Sequence, residues 1–136
     1  MYEPTRLAIY EYIAANMPPD YPIFADNQGN RQPAGAFARY SIRPINTVSM
    51  SVGSQNAKYR RTTALLWFQF FGLESNGVID AMKFADIVTN LFDEKWLPTN
   101  DGMMIRFQRA ELTYIGIEPS GRPQWRVTVR YQVDDL

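Results

Sequence analysis

Apolar and polar positions change their period several times along the chain, and each change marks an element. Residues 62–71, Thr-Thr-Ala-Leu-Leu-Trp-Phe-Gln-Phe-Phe, form a nearly continuous apolar run that stops at Gly72. A strand sends alternate side chains to opposite faces, which puts Ala64, Leu66, Phe68 and Phe70 on one face and Leu65, Trp67 and Phe71 on the other. Both sets are apolar, so the spacing predicts a central strand that needs cover on two sides. Near the end of the chain, Trp125, Val127, Val129, Tyr131 and Val133 alternate with Arg126, Thr128, Arg130 and Gln132. That is a strand with one buried and one wet face, antiparallel to the strand before it. The preceding strand, residues 103–118, carries apolar side chains first at odd positions (Met103, Ile105, Phe107) and then at even ones (Ala110, Leu112, Tyr114). A parity change within a strand predicts a β-bulge near residues 108–110.

Helical spacing appears twice. Residues 5–17, opened by Pro4, place Leu7, Ile9, Tyr10, Ile13, Ala14 and Met17 on a broad apolar face and end at Pro18-Pro19. Residues 78–92 repeat Val78, Ala81, Met82, Ala85, Val88, Leu91 and Phe92 opposite a wet stripe of Asp80, Lys83, Asp86, Asn90 and Asp93. Between these elements, residues 21–37 hold prolines, glycines and asparagines that favour an irregular connection, anchored by Ile23 and Phe24. Residues 38–43 read as a short strand, ended or pushed to a sheet edge by Pro44. Residues 45–61 read as an excursion, either a protruding hairpin arm or a mobile loop, with Val48, Met50 and Val52 alternating at its start. Pro98 and Asn100-Asp101-Gly102 break the chain before the last two strands. The order predicts one α+β domain over 1–136: a mainly antiparallel twisted sheet of four to five strands, two helices packed on one face, and a protruding hairpin or loop.

Composition narrows the chemistry. The 136 residues include neither cysteine nor histidine, which excludes disulfides, zinc–thiolate sites, thiol nucleophiles and the commonest general base. Fourteen basic residues balance fourteen acidic ones, so no overall field recruits nucleic acid or anionic lipid. No apolar run reaches membrane-span length, and Arg6, Glu11 and Asp20 interrupt the first twenty residues where a secretory signal would be apolar. A soluble chain in a cytoplasm, with no membrane partner, is the expectation.

The candidate motifs reduce to structural readings. Gly72-Leu-Glu-Ser-Asn-Gly77 has the glycine spacing of a phosphate loop, but Val78 and Ile79 stand where lysine and serine or threonine belong, so the glycines close a strand-to-helix turn. Asp26-Asn27-Gln28-Gly29-Asn30 has calcium-loop composition without the spacing. The adjacent pairs Asp93-Glu94 and Asp134-Asp135 point apart and form no acid/base dyad. Arg122, Arg126 and Arg130 make a solvated or protein-binding strand face, because Trp125 and Tyr131, the platforms a nucleic-acid sheet would use, have the opposite parity. Lys58, Tyr59, Arg60 and Arg61 form a small basic patch with one aromatic. No catalytic residue, cofactor site or metal site emerges, and the chain is expected not to be an enzyme.

The order of elements, with Tyr21-Pro22-Ile23-Phe24-Ala25-Asp26-Asn27-Gln28 after the first helix, Arg39-Tyr40-Ser41-Ile42, the strand at 64–71, Gly77 opening the second helix, and the closing Val127-Thr-Val-Arg-Tyr131, resembles the tail terminator (tail completion) family of long-tailed bacteriophages. The resemblance covers nearly the whole chain and is one of layout. It implies a virion protein, assembled in the host bacterial cytoplasm, that forms a homohexameric ring on the head-proximal end of the tail tube. The ring stops tube polymerisation and offers a surface for head joining. Its implied partners are copies of itself, the tube protein and a neck or head-completion protein, with DNA only as cargo in the channel. Within that ring, Met50, Lys58, Tyr59, Arg60, Arg61, Leu65, Trp67 and Phe71 are expected at subunit or tube interfaces, and Asp134 and Asp135 facing the channel. A neck, head-closure or other minor tail protein is the alternative within this class, and a small nucleic-acid-binding module the alternative outside it.

Overall fold

A computed structural model of the chain describes residues 2–17, 22–25, 35–49, 60–73, 77–117, 119 and 121–135. The elements run α1 (Tyr2–Asn16), β1 (Ile23–Ala25), β2 (Phe37–Ser49), β3 (Arg60–Phe71), α2 (Gly77–Phe92), β4 (Trp96–Pro98), β5 (Met104–Ile117) and β6 (Pro123–Asp135). They form one six-stranded sheet in the order β1-β2-β3-β6-β5-β4. Every neighbouring pair is antiparallel except β1 and β2, which are parallel. The fold is α+β, as the pattern predicts, with more strands than the four to five expected. β1 and β4 are three residues each, too short to show a period, and β1 lies within the stretch read as irregular.

Strand β3 is central, paired along its whole length with β2 on one side and β6 on the other. Thr62, Ala64, Leu66, Phe68 and Phe70 are buried on the face that both helices cover. Phe68 and Phe70 meet Phe84 of α2 at centroid separations of 5.8 and 5.0 Å, and Phe68 also meets Phe92 at 5.8 Å. From α1, Ile9 and Ile13 enter the same core, Tyr10 packs edge-on to Tyr40, and Tyr12 donates its hydroxyl to the Leu91 carbonyl at 2.7 Å. That bond ties the two helices together where Tyr12 also meets Phe92.

Helix α2 departs from its pattern in one respect. Its buried seam is Ala81, Phe84, Val88 and Phe92, whereas Val78 and Met82, expected to face the core, are exposed with Ile79. The wide apolar arc therefore splits: the seam touching the sheet includes Phe84, and the first turn overhangs it. After Phe92 the helix closes with Asp93 N–H on the Thr89 carbonyl, and Glu94 turns left-handed at φ 54°.

The bulge predicted in β5 is present, as a register shift between Phe107 and Ala110. It keeps Ile105 and Phe107 before it, and Leu112 after it, on the core side although their parity differs. A second shift, between Tyr114 and Gly116, was not signalled by the pattern. Pro44 does not end β2, which continues to Ser49. Its ladder shifts register between Pro44 and Asn46, and β1 pairs only with Ala38 to Tyr40, so Pro44 lies beyond the stretch β1 covers. At least at its base the predicted excursion is a hairpin, still paired at Ser49 with Arg60. Its remainder, residues 50–59, lies outside the described residues.

Candidate functional site

The face of the sheet away from the helices carries a set of arginines drawn from several strands. Register places Arg39, Ser41 and Arg43 of β2 beside Gln69, Trp67 and Leu65 of β3, and these beside Arg126, Thr128 and Arg130 of β6. Farther across, Thr113 and Glu111 of β5 adjoin Arg126 and Thr128, and Arg106 adjoins Gln132. The wet side chains read in β6 thus meet Arg39 and Arg43 of β2 and Trp67 of β3 on a single surface, with Arg106 farther out beside Trp96 of β4.

The arginines lie over the aromatic rings. The Arg126 guanidinium carbon sits 4.2 Å from the Trp67 ring centroid and that of Arg43 at 5.3 Å. At one end of the face, Phe37 stacks on Phe71 at 4.8 Å, with Arg122 at 5.1 Å and Arg39 at 5.8 Å from the Phe37 ring. Long arginine stems cover apolar surface while their heads stay near water, so this layer supplies much of the second cover that β3 needs. Phe71, expected at a subunit interface, is only 6% exposed and has little surface left for a partner. Leu65 and Trp67 remain half-buried and keep some.

Arg61 and Asp134, assigned by the sequence to interface and channel respectively, are bonded to each other. Arg61 donates from Nε to Asp134 Oδ1 at 2.8 Å and from Nη2 to Oδ2 at 3.2 Å. The pair is about one-third exposed on each side, so its contribution to stability is modest, roughly 0–1 kcal/mol. Arg60 is exposed, and its backbone pairs with that of Asp135. Met50, Lys58 and Tyr59 lie outside the described residues. The expectation that the β6 arginines lack an aromatic on their face is overturned. Trp67 comes from the neighbouring strand, and only the β3–β6 register, which no local pattern encodes, brings it there.

Elsewhere, large apolar side chains are exposed on the outer stripe of α2 (Val78, Ile79, Met82) and toward the end of β5 (Tyr114, Ile115, Ile117). The Trp125 ring packs edge-on to Tyr114 at 4.8 Å, and its Nε1 is buried without a hydrogen-bond partner among the described residues. An open cleft of about 300 Å³ beside the β5 bulge is lined by Glu94, Trp96, Arg106, Phe107, Gln108 and Arg109. Among the described residues, no group of three or more aspartates and glutamates is arranged to hold a metal ion. Thr99 Oγ1 donates to Asp101, which holds that carboxyl below its ordinary range, and accepts from the Met103 N–H at 3.0 Å. These bonds, with Gly102 at φ +84°, close the β4–β5 turn.

No helix among the described residues is long and apolar enough to cross a membrane. No family model matches the chain, and no curated protein matches it. A solved structure whose name states no activity is similar over 100% of this chain and 97% of its own, with a TM-score of 0.75 and 16% sequence identity. At that identity the likeness is one of fold: the whole of this α+β architecture exists in a second protein of nearly the same extent.

Proposed function

We propose that the protein is a structural virion subunit, a tail terminator that forms a ring, hexameric by family resemblance, on the head-proximal end of a phage tail tube. The observation that carries this reading is the placement of the exposed apolar side chains. Ile79 at 58%, Met82 at 54% and Ile117 at 68% exposure give one small domain bare apolar surface on a helix and on a sheet edge. Surface of that kind is what subunit contacts bury. The β2–β3 hairpin, paired to Ser49 and Arg60, adds an element that extends toward a tube or neighbour. In this reading the work is geometric, and Leu65, Trp67 and Arg60 lie among the contact residues.

The test is negative-stain microscopy of purified protein, alone and mixed with tail tubes. Rings at one end of tubes whose growth has stopped are expected; strictly monomeric protein that never decorates a tube overturns the reading. Labelling the protein on isolated tails separates terminator from neck subunit, since label only on the neck side of a distinct ring favours the latter. A nucleic-acid-binding module is the second reading, favoured by Trp67 lying among Arg43, Arg126 and Arg130. It requires steeply salt-dependent retention of DNA or RNA, and undetectable binding at low salt removes it.

A further inference from the structure

We infer that the open edge of β5 docks a second copy of this chain: the same stretch of two copies pairs antiparallel about a two-fold axis at Thr113. β4 pairs with β5 only from Met104 to Arg106, and the Phe107 N–H donates to the Lys95 carbonyl at 2.8 Å. From there to Ile117, no strand among the described residues pairs with β5 on that side. The Phe107 bond points away from β6, and facing residues of an antiparallel ladder alternate between bonding each other and bonding outward. Phe107 faces Tyr131, and Ala110 faces Val129 two residues on, so Ala110, Leu112 and Tyr114 also turn their N–H and C=O groups outward. Glu111, Thr113, Tyr114, Ile115 and Ile117 are exposed. A bare edge of this kind is a template for another strand.

The opposite edge of the sheet is a poor partner for it. β1 covers β2 only at Ala38 to Tyr40, and the Ala38 N–H donates outward to the Pro22 carbonyl at 2.9 Å. By the same alternation Pro44 stands where an outward N–H is missing, and the ladder shifts beside it, two devices that guard an edge. Ala110 to Tyr114 contains no proline, no lysine and no register shift. It is also complementary to itself. With the axis at Thr113, Leu112 faces Tyr114 of the second copy and, counting the second register shift, Ala110 faces Ile117, all on the helix side of the sheet. Thr113 faces its own copy on the arginine side, and no like charges come opposite. An axis at Leu112 would press Ile117 against Lys95 of the second copy, so the end of β4 sets the register. The contact is isologous and closes as a dimer. It goes beyond the ring reading, whose repeated contact joins different patches and is left the outer stripe of α2.

Because the chain has no cysteine, Thr113→Cys places a single thiol at the axis, where facing Cα atoms lie about 4.5 Å apart. On oxidation it is expected to give a disulfide-linked dimer, and Asn90→Cys, also exposed but on α2, is expected to stay unlinked. Thr113→Lys and Thr113→Glu each set like charges face to face, and each alone is expected to weaken dimerisation in sedimentation about tenfold or more, with an equimolar mixture restoring it. Circular dichroism establishes that each variant is folded. Wild-type chains that stay monomeric up to the solubility limit overturn the inference and leave the edge to a strand of a different protein. Dimerisation indifferent to both charged variants overturns it too, as does a mixture that restores nothing. So does a Thr113→Cys chain that links no faster than Asn90→Cys.

Discussion

Arg126 and Trp67 show how a polar layer closes an apolar strand. Over the indole the Arg126 stem and guanidinium shield the ring, with Nε buried and without a hydrogen-bond partner among the described residues, and the more exposed Arg43 covers the ring from the other neighbouring strand. A double-mutant cycle with Trp67→Ala and Arg126→Ala is expected to show coupling of about 0.5–2 kcal/mol in denaturant unfolding. Arg126→Lys should recover only part of it, because an ammonium does not stack. Coupling near zero would mean that the two side chains merely lie side by side. On the core side, burial pushes the Tyr40 hydroxyl up to about 12, with Tyr10 adding to the rise. Below pH 10 the residue is neutral in both states and the shift has no effect on stability. As the pH rises toward 12 the unfolded chain loses the proton and the folded one keeps it, so stability falls, by up to about 2–3 kcal/mol. Urea titrations across that window check the slope, which Tyr40→Phe should flatten.

Helix α2 separates what a helical period encodes from what it does not. Phe84→Ala, which removes a ring packed on both Phe68 and Phe70, is expected to cost about 3–5 kcal/mol. Met82→Ala, at an exposed position, should stay within about 0.5 kcal/mol, and equal losses in thermal or chemical unfolding would contradict the observed seam. An apolar arc this wide does not say which part of it meets the sheet; that depends on the helix's rotation against β3, β5 and β6. The parity change at residues 108–110, by contrast, was readable as a bulge, since a strand must keep its buried face when it gains a residue. Strand β3 was readable for a similar reason: alternate burial from Thr62 to Phe70 is inherent in its run of apolar residues. The arginine field was only half readable. Arg126 and Arg130 show in the β6 alternation, but Arg39, Arg43 and Trp67 join them through ladders to residues far away in sequence.

At the scale of the molecule, charge and topology both divide the chain. The net charge of zero hides a basic sheet face, so association should depend on orientation and on salt more than the composition indicates. In chain order α1, β1, β2 and β3 precede α2, β4, β5 and β6, and the sheet order keeps the two sets of strands on either side of a seam. Both long hairpins, β2–β3 and β5–β6, join strands adjacent in the chain, whereas the seam joins β3 to β6 from Phe71↔Gln124 to Arg60↔Asp135. Contacts so distant in sequence carry a closure cost before they give anything back, so docking of the two hairpins is the expected slow event of folding. Cut within residues 74–76, the chain should therefore yield two fragments that are poorly ordered apart and recover the native circular dichroism on mixing, at a rate that rises with concentration. A cooperative melt from either fragment alone would place the slow event elsewhere. The strand most continuously apolar in the sequence would then be the surface on which two half-made sheets recognise each other.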